Sequence, residues 1–359
     1  MATDIRPARP SDEEAMALLT EMVRTYSPSR QEEAVASLLV NAMNGFGLDA
    51  CRDEAGNAIG RIGRGTRHVV LLGHMDTFRG ELPVRREAGL LYGRGAVDAK
   101  GALAAFIVAA ARAGPLPDLR ITVVGAVEEE CETSAGAHYA ALQHHPDMAI
   151  IGEPSRWNRV TLGYKGVLSL RYRLCRPMAH TAGERPGVAG EAIHFWNRLT
   201  GWAQAYNADK TRRFDALDPS LRAIHSGDDA LQQWVEMDVA FRLPPGLAVG
   251  TLLNQVEVSR GDAQVECGSH EPPFVGGRSN VLCSALLHAI RAEGGKPAFV
   301  LKTGTSDMNV VGPVWKCPIV AYGPGDSALD HTPEEHLDLQ EYLRSIRVLT
   351  LALQRLAGR

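Results

Sequence analysis

The chain lacks any unbroken apolar stretch near the roughly twenty residues that a membrane-crossing helix requires, so no membrane partner is expected. It also lacks the apolar core of a secretion signal. The first ten residues carry Asp4, Arg6 and Arg9, and the expected location is the cytoplasm. Cysteine is sparse and scattered, at positions 51, 131, 175, 267, 283 and 317, with no Cys-x-x-Cys. That spacing argues against a disulfide-stapled minidomain and fits reduced thiols, Cys131 among them as a small buried residue. No charge sign dominates: 38 basic residues face 42 acidic ones, a net charge of −4, which leaves no general case for nucleic acid. Internal repeats and low-complexity segments are absent too. What is present is length. With 359 residues, 45% hydrophobic and 22% charged, the chain can build two domains and a large core.

The most informative segment is Val69-Val70-Leu71-Leu72-Gly73-His74-Met75-Asp76. A β-branched apolar run ends in Gly and then offers His and Asp two positions apart. A buried strand delivers a metal ligand in this way at its C-terminal edge. His74 can bind a metal, and Asp76 can fix the imidazole from behind. Similar strand or turn ends follow at Gly95-Ala96-Val97-Asp98, Ala126-Val127-Glu128-Glu129-Glu130, Gly152-Glu153-Pro154 and Leu329-Asp330-His331. Open α/β sheets build their sites at the carboxyl ends of strands. Two His with several Asp and Glu suit a pair of Zn²⁺ ions, with Co²⁺ or Mn²⁺ as substitutes. Two cations lower the pKa of a bridging water and polarise an amide carbonyl. The bridging ligand must then be a carboxylate, one oxygen to each ion. The proton acceptor must be a carboxylate that is not itself a ligand.

In order and context these pieces resemble the di-zinc aminoacylase and carboxypeptidase family that includes acetylornithine deacetylase and succinyl-diaminopimelate desuccinylase. The likeness runs from about Ala15 to the C-terminus. It implies His74, Asp98, Glu130, Glu153 and His331 as metal ligands, with Asp98 bridging, and Glu129 as general base. The family pattern Asp-Glu-Glu stands here as Glu128-Glu129-Glu130. Ungapped alignment of the preceding strand gives Glu129 as base and Glu130 as ligand. The loop to Gly136 is one residue longer than usual, so the shift to Glu128 and Glu129 stays open.

The expected fold is α/β: a catalytic domain with a mostly parallel sheet flanked by helices, interrupted by an inserted α+β domain. Expected boundaries are 1–162, 163–275 and 276–359. Helices are expected over Glu13–Val23, opened by Ser11 or Asp12, and over Gln31–Asn44, Ala99–Ala113 and Glu191–Trp202. Strands are expected at Arg67–Leu72, Leu119–Gly125, Met148–Ile151, Val167–Leu174, Trp234–Leu243, Leu252–Val258, Gln264–Cys267, Ala298–Leu301 and Pro318–Ala321. The resemblance makes the insert a lid that mediates a homodimer.

It also implies that His180, in Met178-Ala179-His180-Thr181-Ala182-Gly183, reaches the partner subunit's site to stabilise an oxyanion. Arg242 matches an arginine that holds a substrate carboxylate. Lys165, Thr305 and Ser306 complete the substrate-binding candidates, the last two in a turn that leads into a helix N-cap. The segment Gly152-Glu153-Pro154-Ser155, followed by Thr161-Leu162-Gly163-Tyr164-Lys165-Gly166, is most similar to one branch. Its members release lysine or ornithine from the terminal Glu of a small acidic amino-group carrier protein, and it also contains acetyl-lysine and acetylornithine deacetylases. Arg156, Arg159, Lys165, Arg171, Arg173, Arg176 and Arg185, against Glu184 alone, suggest a basic patch that could steer an acidic partner. Solvent-facing alternation on a strand explains Arg171 and Arg173 equally well. The expected function is metal-dependent hydrolysis of an N-acyl or carrier-linked basic amino acid. A dipeptidase or carboxypeptidase on this scaffold, or a non-catalytic metal-binding scaffold, is the alternative.

Overall fold

The computed structural model describes residues 9–180 and 186–358. The chain forms two compact units. The larger comprises the chain up to Gly163 with Gly276–Leu301 and Ser306–Arg359; the smaller comprises Tyr164–Val275 with Lys302–Thr305.

In chain order the larger unit opens with α1 (Asp12–Arg24), α2 (Glu33–Gly45), β1 (Asp49–Arg52), β2 (Ala58–Ile62) and β3 (Arg67–His74). Then come β4 (Arg85–Glu87), β5 (Leu90–Tyr92), α3 (Lys100–Ala113), β6 (Leu119–Ala126), α4 (Ala135–Gln143), β7 (Met148–Gly152) and β8 (Arg159–Tyr164). The smaller unit contributes β9 (Gly166–Pro177), α5 (Val188–Asn207), β10 (Asp218–Asp228), β11 (Gln232–Leu243), α6 (Val249–Ser259), β12 (Gln264–Glu271) and β13 (Phe274–Val275). The return carries α7 (Val281–Ala292), β14 (Ala298–Lys302), α8 (Asp307–Trp315), β15 (Ile319–Ala321), β16 (His336–Asp338) and α9 (Leu339–Ala357).

Ser11 starts α1 with a reciprocal cap: its hydroxyl accepts the Glu14 N–H at 3.1 Å, and Glu14 accepts the Ser11 N–H at 2.7 Å. The main sheet runs β1-β2-β6-β3-β7-β15-β8, with β14 on β8. Its centre, β6-β3-β7-β15, is parallel. Strands buried on both faces need apolar side chains throughout, and β3 supplies them from Val69 to Leu72. Helix α3 is almost wholly buried, as its Ala-rich sequence anticipates. Gly73 pairs with Gly125 on one side and Gly152 on the other. A Cβ on Gly152 would sit 2.9 Å from Phe106, and one on Gly125 3.2 Å from Leu103. Three bare backbones in a row therefore let α3 lie directly on the sheet.

The smaller unit is α+β. Its antiparallel sheet β10-β11-β9-β12 buries alternate residues of β9 and β11, including Leu168, Leu170, Tyr172, Val235, Met237 and Phe241, with Phe195, Leu199, Leu252 and Val256 from its helices. One expectation is overturned. Leu252–Val258 is not a strand but part of α6. Leu252, Val256 and Ser259 are buried while Val258 is exposed, so the spacing of four and three is helical. The partner strand β10 had no sequence signal because most of its side chains face solvent.

The basic patch also changes character once strands pair. Arg171 meets Asp238 at 2.7 Å, Arg173 meets Glu236 at 3.0 Å, and Arg176 meets Asp262 and Glu191. The acids come from distant parts of the chain, so the local count of positive charge overstated the patch. Glu184 and Arg185 lie outside the described residues. All six cysteines are free thiols. Among the described residues no helix is long and apolar enough to cross a membrane.

Candidate metal centre

The parallel strands bring their ends to one edge of the larger unit. His74 is the last residue of β3, Glu153 follows β7, and Glu128–Glu130 lie just beyond β6. Asp98 occupies the turn before α3, and His331 a loop between β15 and β16. Asp98 stands between the imidazoles: its Oδ1 is 3.5 Å from His74 Nε2 and its Oδ2 3.0 Å from His331 Nε2. His331 Nε2 also lies 3.0 Å from Glu130 Oε1. Two sets of potential ligand atoms lie within 4.8 Å of one another: His74, Glu129 and Glu130, and Asp98, Glu130 and His331. Glu153 belongs to neither set, but it is buried nearby and its carboxyl responds to the charges of Asp98 and His74.

Glu128 adopts a left-handed φ of 61°, and its carboxylate turns away to Arg30 at 3.6 Å and to Thr133. Glu129 and Glu130 turn inward. The arrangement thus groups Glu129 and Glu130, not Glu128, with the histidines. Asp76 holds that turn. Its oxygens accept the N–H groups of Glu129 at 3.1 Å and Glu130 at 3.0 Å and the Ser29 hydroxyl at 2.7 Å, while His74 Nδ1 lies 3.0 Å from the Asp76 carbonyl oxygen. Cys131 lies against Glu128 and Thr133.

Electrostatics follow from burying so many acids together. Burial pushes Glu129 and Glu153 well above the ordinary carboxylate range, and Glu130 upward. Asp98 is held low: burial opposes this, but hydrogen bonds to His331 and His74 prevail. Burial likewise opposes a charge on His74, yet the neighbouring carboxylates of Asp76 and Asp98 raise its pKa well above the usual value. Hydrogen bonds to Asp98 and Glu130 lift His331 to about 10. His74 Nε2 is buried with no hydrogen-bond partner. An orphaned imidazole nitrogen facing carboxylate oxygens is a donor set that fits divalent zinc, cobalt or manganese.

Several supporting residues escaped the sequence reading. Glu335 is buried, accepts the N–H groups of Val97 and Asp98 at 3.1 and 3.2 Å, and pairs with Arg94 at 2.8 Å. Arg94 in turn donates to the Thr332 carbonyl, beside His331. One buried pair therefore ties the Asp98 turn to the His331 loop. Asn57 pins the acidic loop at both ends, accepting from Val127 N–H and donating to the Gly136 carbonyl, each at 3.1 Å. Phe78 stacks on His331 with ring centroids 4.5 Å apart. The buried Asp307 raises the pKa of Glu129 and Glu153. A Glu in a polar run such as Glu334-Glu335-His336 reads as solvated charge, which is why no sequence signal marked it.

The smaller unit carries the other expected residues. His180 is exposed, and Thr181 to Gly183 of its motif lie outside the described residues. Lys165 is buried against Asp218 at 2.6 Å and donates to the Arg213 carbonyl. Arg242 donates to the Thr305 hydroxyl at 2.6 Å. Ser306, in the larger unit, caps α8 by accepting the Met308 N–H at 3.2 Å.

Solved structures similar to this one share its fold over nearly the whole chain. An M20 family metallo-carboxypeptidase from Sulfolobus solfataricus superposes with a TM-score of 0.78 at 15% identity, covering 96% of this chain and 100% of that one. The aminopeptidase PepT from Bacillus cereus gives 0.77 at 16%, covering 98% and 100%. In sequence the chain is 45% identical to a LysW-lysine hydrolase of Deinococcus radiodurans, over 97% of this chain and 99% of that one. It is 37% identical to a putative LysW-lysine/LysW-ornithine hydrolase of Thermococcus kodakarensis, over 97% and 94%. The family model described as peptidase family M20/M25/M40 matches residues 70–355. A divalent-metal hydrolase fold, its acids and imidazoles gathered at one sheet edge, and a family match over most of its length make this chain a member of peptidase family M20/M25/M40.

Proposed function

We propose that the protein uses two divalent cations, zinc foremost, to hydrolyse the amide that joins lysine or ornithine to the terminal Glu of a small acidic carrier protein of LysW type. The single observation that carries the two-cation reading is Asp98, which offers one oxygen toward each imidazole. The substrate class rests on relatives whose likeness spans nearly the whole chain. His74 and Glu153 would hold one ion, Glu130 and His331 the other, with Asp98 between them. Bound cations supply Lewis-acid polarisation of the scissile carbonyl and ease ionisation of a water.

The protein's own groups do the rest. Glu129 accepts a proton from the attacking water and returns it to the departing amine as the C–N bond breaks. Burial raises the pKa of that carboxyl, which suits a group that must both take and give a proton. Asp76 fixes the Glu129 backbone and the His74 ring together. Lys165, Arg242, Thr305 and Ser306 hold the substrate, and Arg242 suits a carboxylate because its donors form a fork. His180 acts on the oxyanion from the neighbouring subunit of a cytoplasmic homodimer.

Turnover on a carrier conjugate bearing lysine or ornithine, compared with acetyl-lysine and acetylornithine, tests the substrate class. The carrier conjugates are expected to give the higher kcat/KM; preference for the free acetyl compounds would overturn it. Mixing Glu129→Gln with His180→Ala under subunit exchange tests the shared site. Activity should reappear, because one hybrid site holds both intact residues. No recovery despite proven exchange would remove His180 from the partner's chemistry.

A further inference from the structure

A cavity of about 740 Å³ opens in the larger unit, at the end of the sheet opposite the metal centre. His68 lines it from the start of β3, whereas His74 ends the same strand, so roughly 20 Å of extended chain separates the two. The volume falls within the usual range for small-molecule sites.

Its floor breaks the rule that both faces of a parallel sheet are apolar. His68 pairs with Arg120 across β3 and β6, and Arg61 pairs with Thr122 across β2 and β6. Paired residues share a face, as do residues two apart on one strand, so Arg61, His68, Arg120 and Thr122 all point the same way. The other face of β6 carries Leu119, Ile121 and Val123, all buried. The C-terminal end of α4 and the residues after it add His144 and His145 to the wall.

The two arginines are not neutralised. Arg94, Arg112, Arg156 and Arg347 of this unit each reach a carboxylate. Among the described residues Arg61 and Arg120 form no ion pair; Arg61 has only a 3.9 Å contact to the Cys51 sulfur. Asp53 and Glu54 also line the cavity, but among the described residues neither pairs with Arg61 or Arg120. Asp53 accepts from Ala55 and Asn57, Glu54 from the Tyr139 hydroxyl, and Asp147 from the His68 N–H. His68 registers the resulting field: burial, then the charges of Arg120 and His144, push it down to about 4. Burial and Arg61 lower His144 likewise.

We propose that this cavity binds a small multivalent oxyanion, of pyrophosphate or polycarboxylate type, gripped by Arg61 and Arg120 and flanked by His144. A guanidinium fork suits the paired oxygens of phosphate and carboxylate equally, so the geometry names the shared chemistry.

Calorimetric titration of the metal-loaded protein with pyrophosphate and with tricarballylate, at matched ionic strength, tests it. One saturable site per chain is expected for at least one of them, and the tighter binder identifies the class. Arg61→Gln and Arg120→Gln should each weaken it about tenfold to a hundredfold, the loss typical of charge-assisted hydrogen bonds, and leave hydrolysis in the absence of the anion unchanged. If either variant folds poorly by circular dichroism, His144→Gln on the cavity wall is the substitute and should weaken binding as well. Binding that persists in the arginine variants and vanishes on metal removal belongs to the metal centre and overturns the proposal. Chloride-like, non-saturable binding unchanged by the substitutions means an adventitious ion only, and overturns it equally.

Discussion

Replacing Asp76 separates support of the metal centre from ligation within it. Asp76 is fully buried; its carboxylate accepts the backbone N–H groups of Glu129 and Glu130, and its main-chain carbonyl faces His74 Nδ1. In Asp76→Ala the N–H groups of Glu129 and Glu130 lose their acceptor. A buried donor left unmade costs about 1–3 kcal/mol, so the acidic turn would be destabilised by about 2–6 kcal/mol if it did not relax. Relaxation relieves the cost but moves Glu129 and Glu130. Loss of a carboxylate behind a metal-binding histidine typically weakens metal affinity about 10–100-fold, or about 1.4–2.7 kcal/mol. Asp76→Asn keeps one oxygen and turns the other into an NH₂ facing an N–H donor. It should therefore fall between the wild type and the alanine variant in affinity and in denaturation midpoint. The assay is competition for Zn²⁺ or Co²⁺ against a chelator of known affinity, with urea unfolding of the metal-free protein alongside. Metal affinity within twofold of wild type in Asp76→Ala would refute the claim that this carboxylate organises the site.

Three more expectations are independent of that one. Glu129→Gln should keep its metal and lose about two to four orders of magnitude in kcat, the range for a removed general base, whereas Glu130→Gln should lose metal; exchanged phenotypes would reject the roles given to these neighbours. Glu335→Ala should cost about 3–5 kcal/mol, because Arg94 and two backbone N–H groups are left unpaired, and Glu335→Gln should recover part by retaining an acceptor; equal unfolding midpoints for all three proteins would contradict this. His68 has its pKa lowered from 6.5 to about 4, so below pH 6.5 the unfolded chain binds a proton that the folded one does not. Stability should fall as pH drops from 6.5 toward 4, by at most about 3 kcal/mol from this residue. Urea unfolding of His68→Gln should show a shallower acid slope; an unchanged slope would show that His68 does not contribute.

What the sequence discloses depends on how local the cause is. The candidate metal cluster is legible because each of its residues follows a strand or turn whose own composition announces it, and a single sheet edge collects them. Which two of Glu128, Glu129 and Glu130 face the histidines is not decidable from composition, since it depends on a left-handed backbone at Glu128. Helix α6 reads as a strand because Val256 and Val258 are β-branched and two apart, and only burial distinguishes them. Strand β10 and the partners of Arg171 and Arg173 are invisible for the opposite reason: they depend on contacts with residues far along the chain. Glu335 belongs with these, because its role exists only once the Asp98 turn is placed beside it.

The row formed by Gly73, Gly125 and Gly152 has a consequence for how the enzyme can change over generations. His74 and Glu153 each follow one of these positions directly, and Asp98 leads into the helix that rests on them. The separation between the strand-borne and helix-borne candidate ligands is thus gauged by main chain against side-chain tips, with no rotamer of a bulky sheet residue in between. Drift in the size of side chains elsewhere in the core can be absorbed without recalibrating the catalytic spacing. Drift at Gly152 cannot, because a single methyl there already collides with Phe106 and the neighbouring strand. The interior is therefore free to adapt to a new growth temperature while the reaction chemistry stays in gauge.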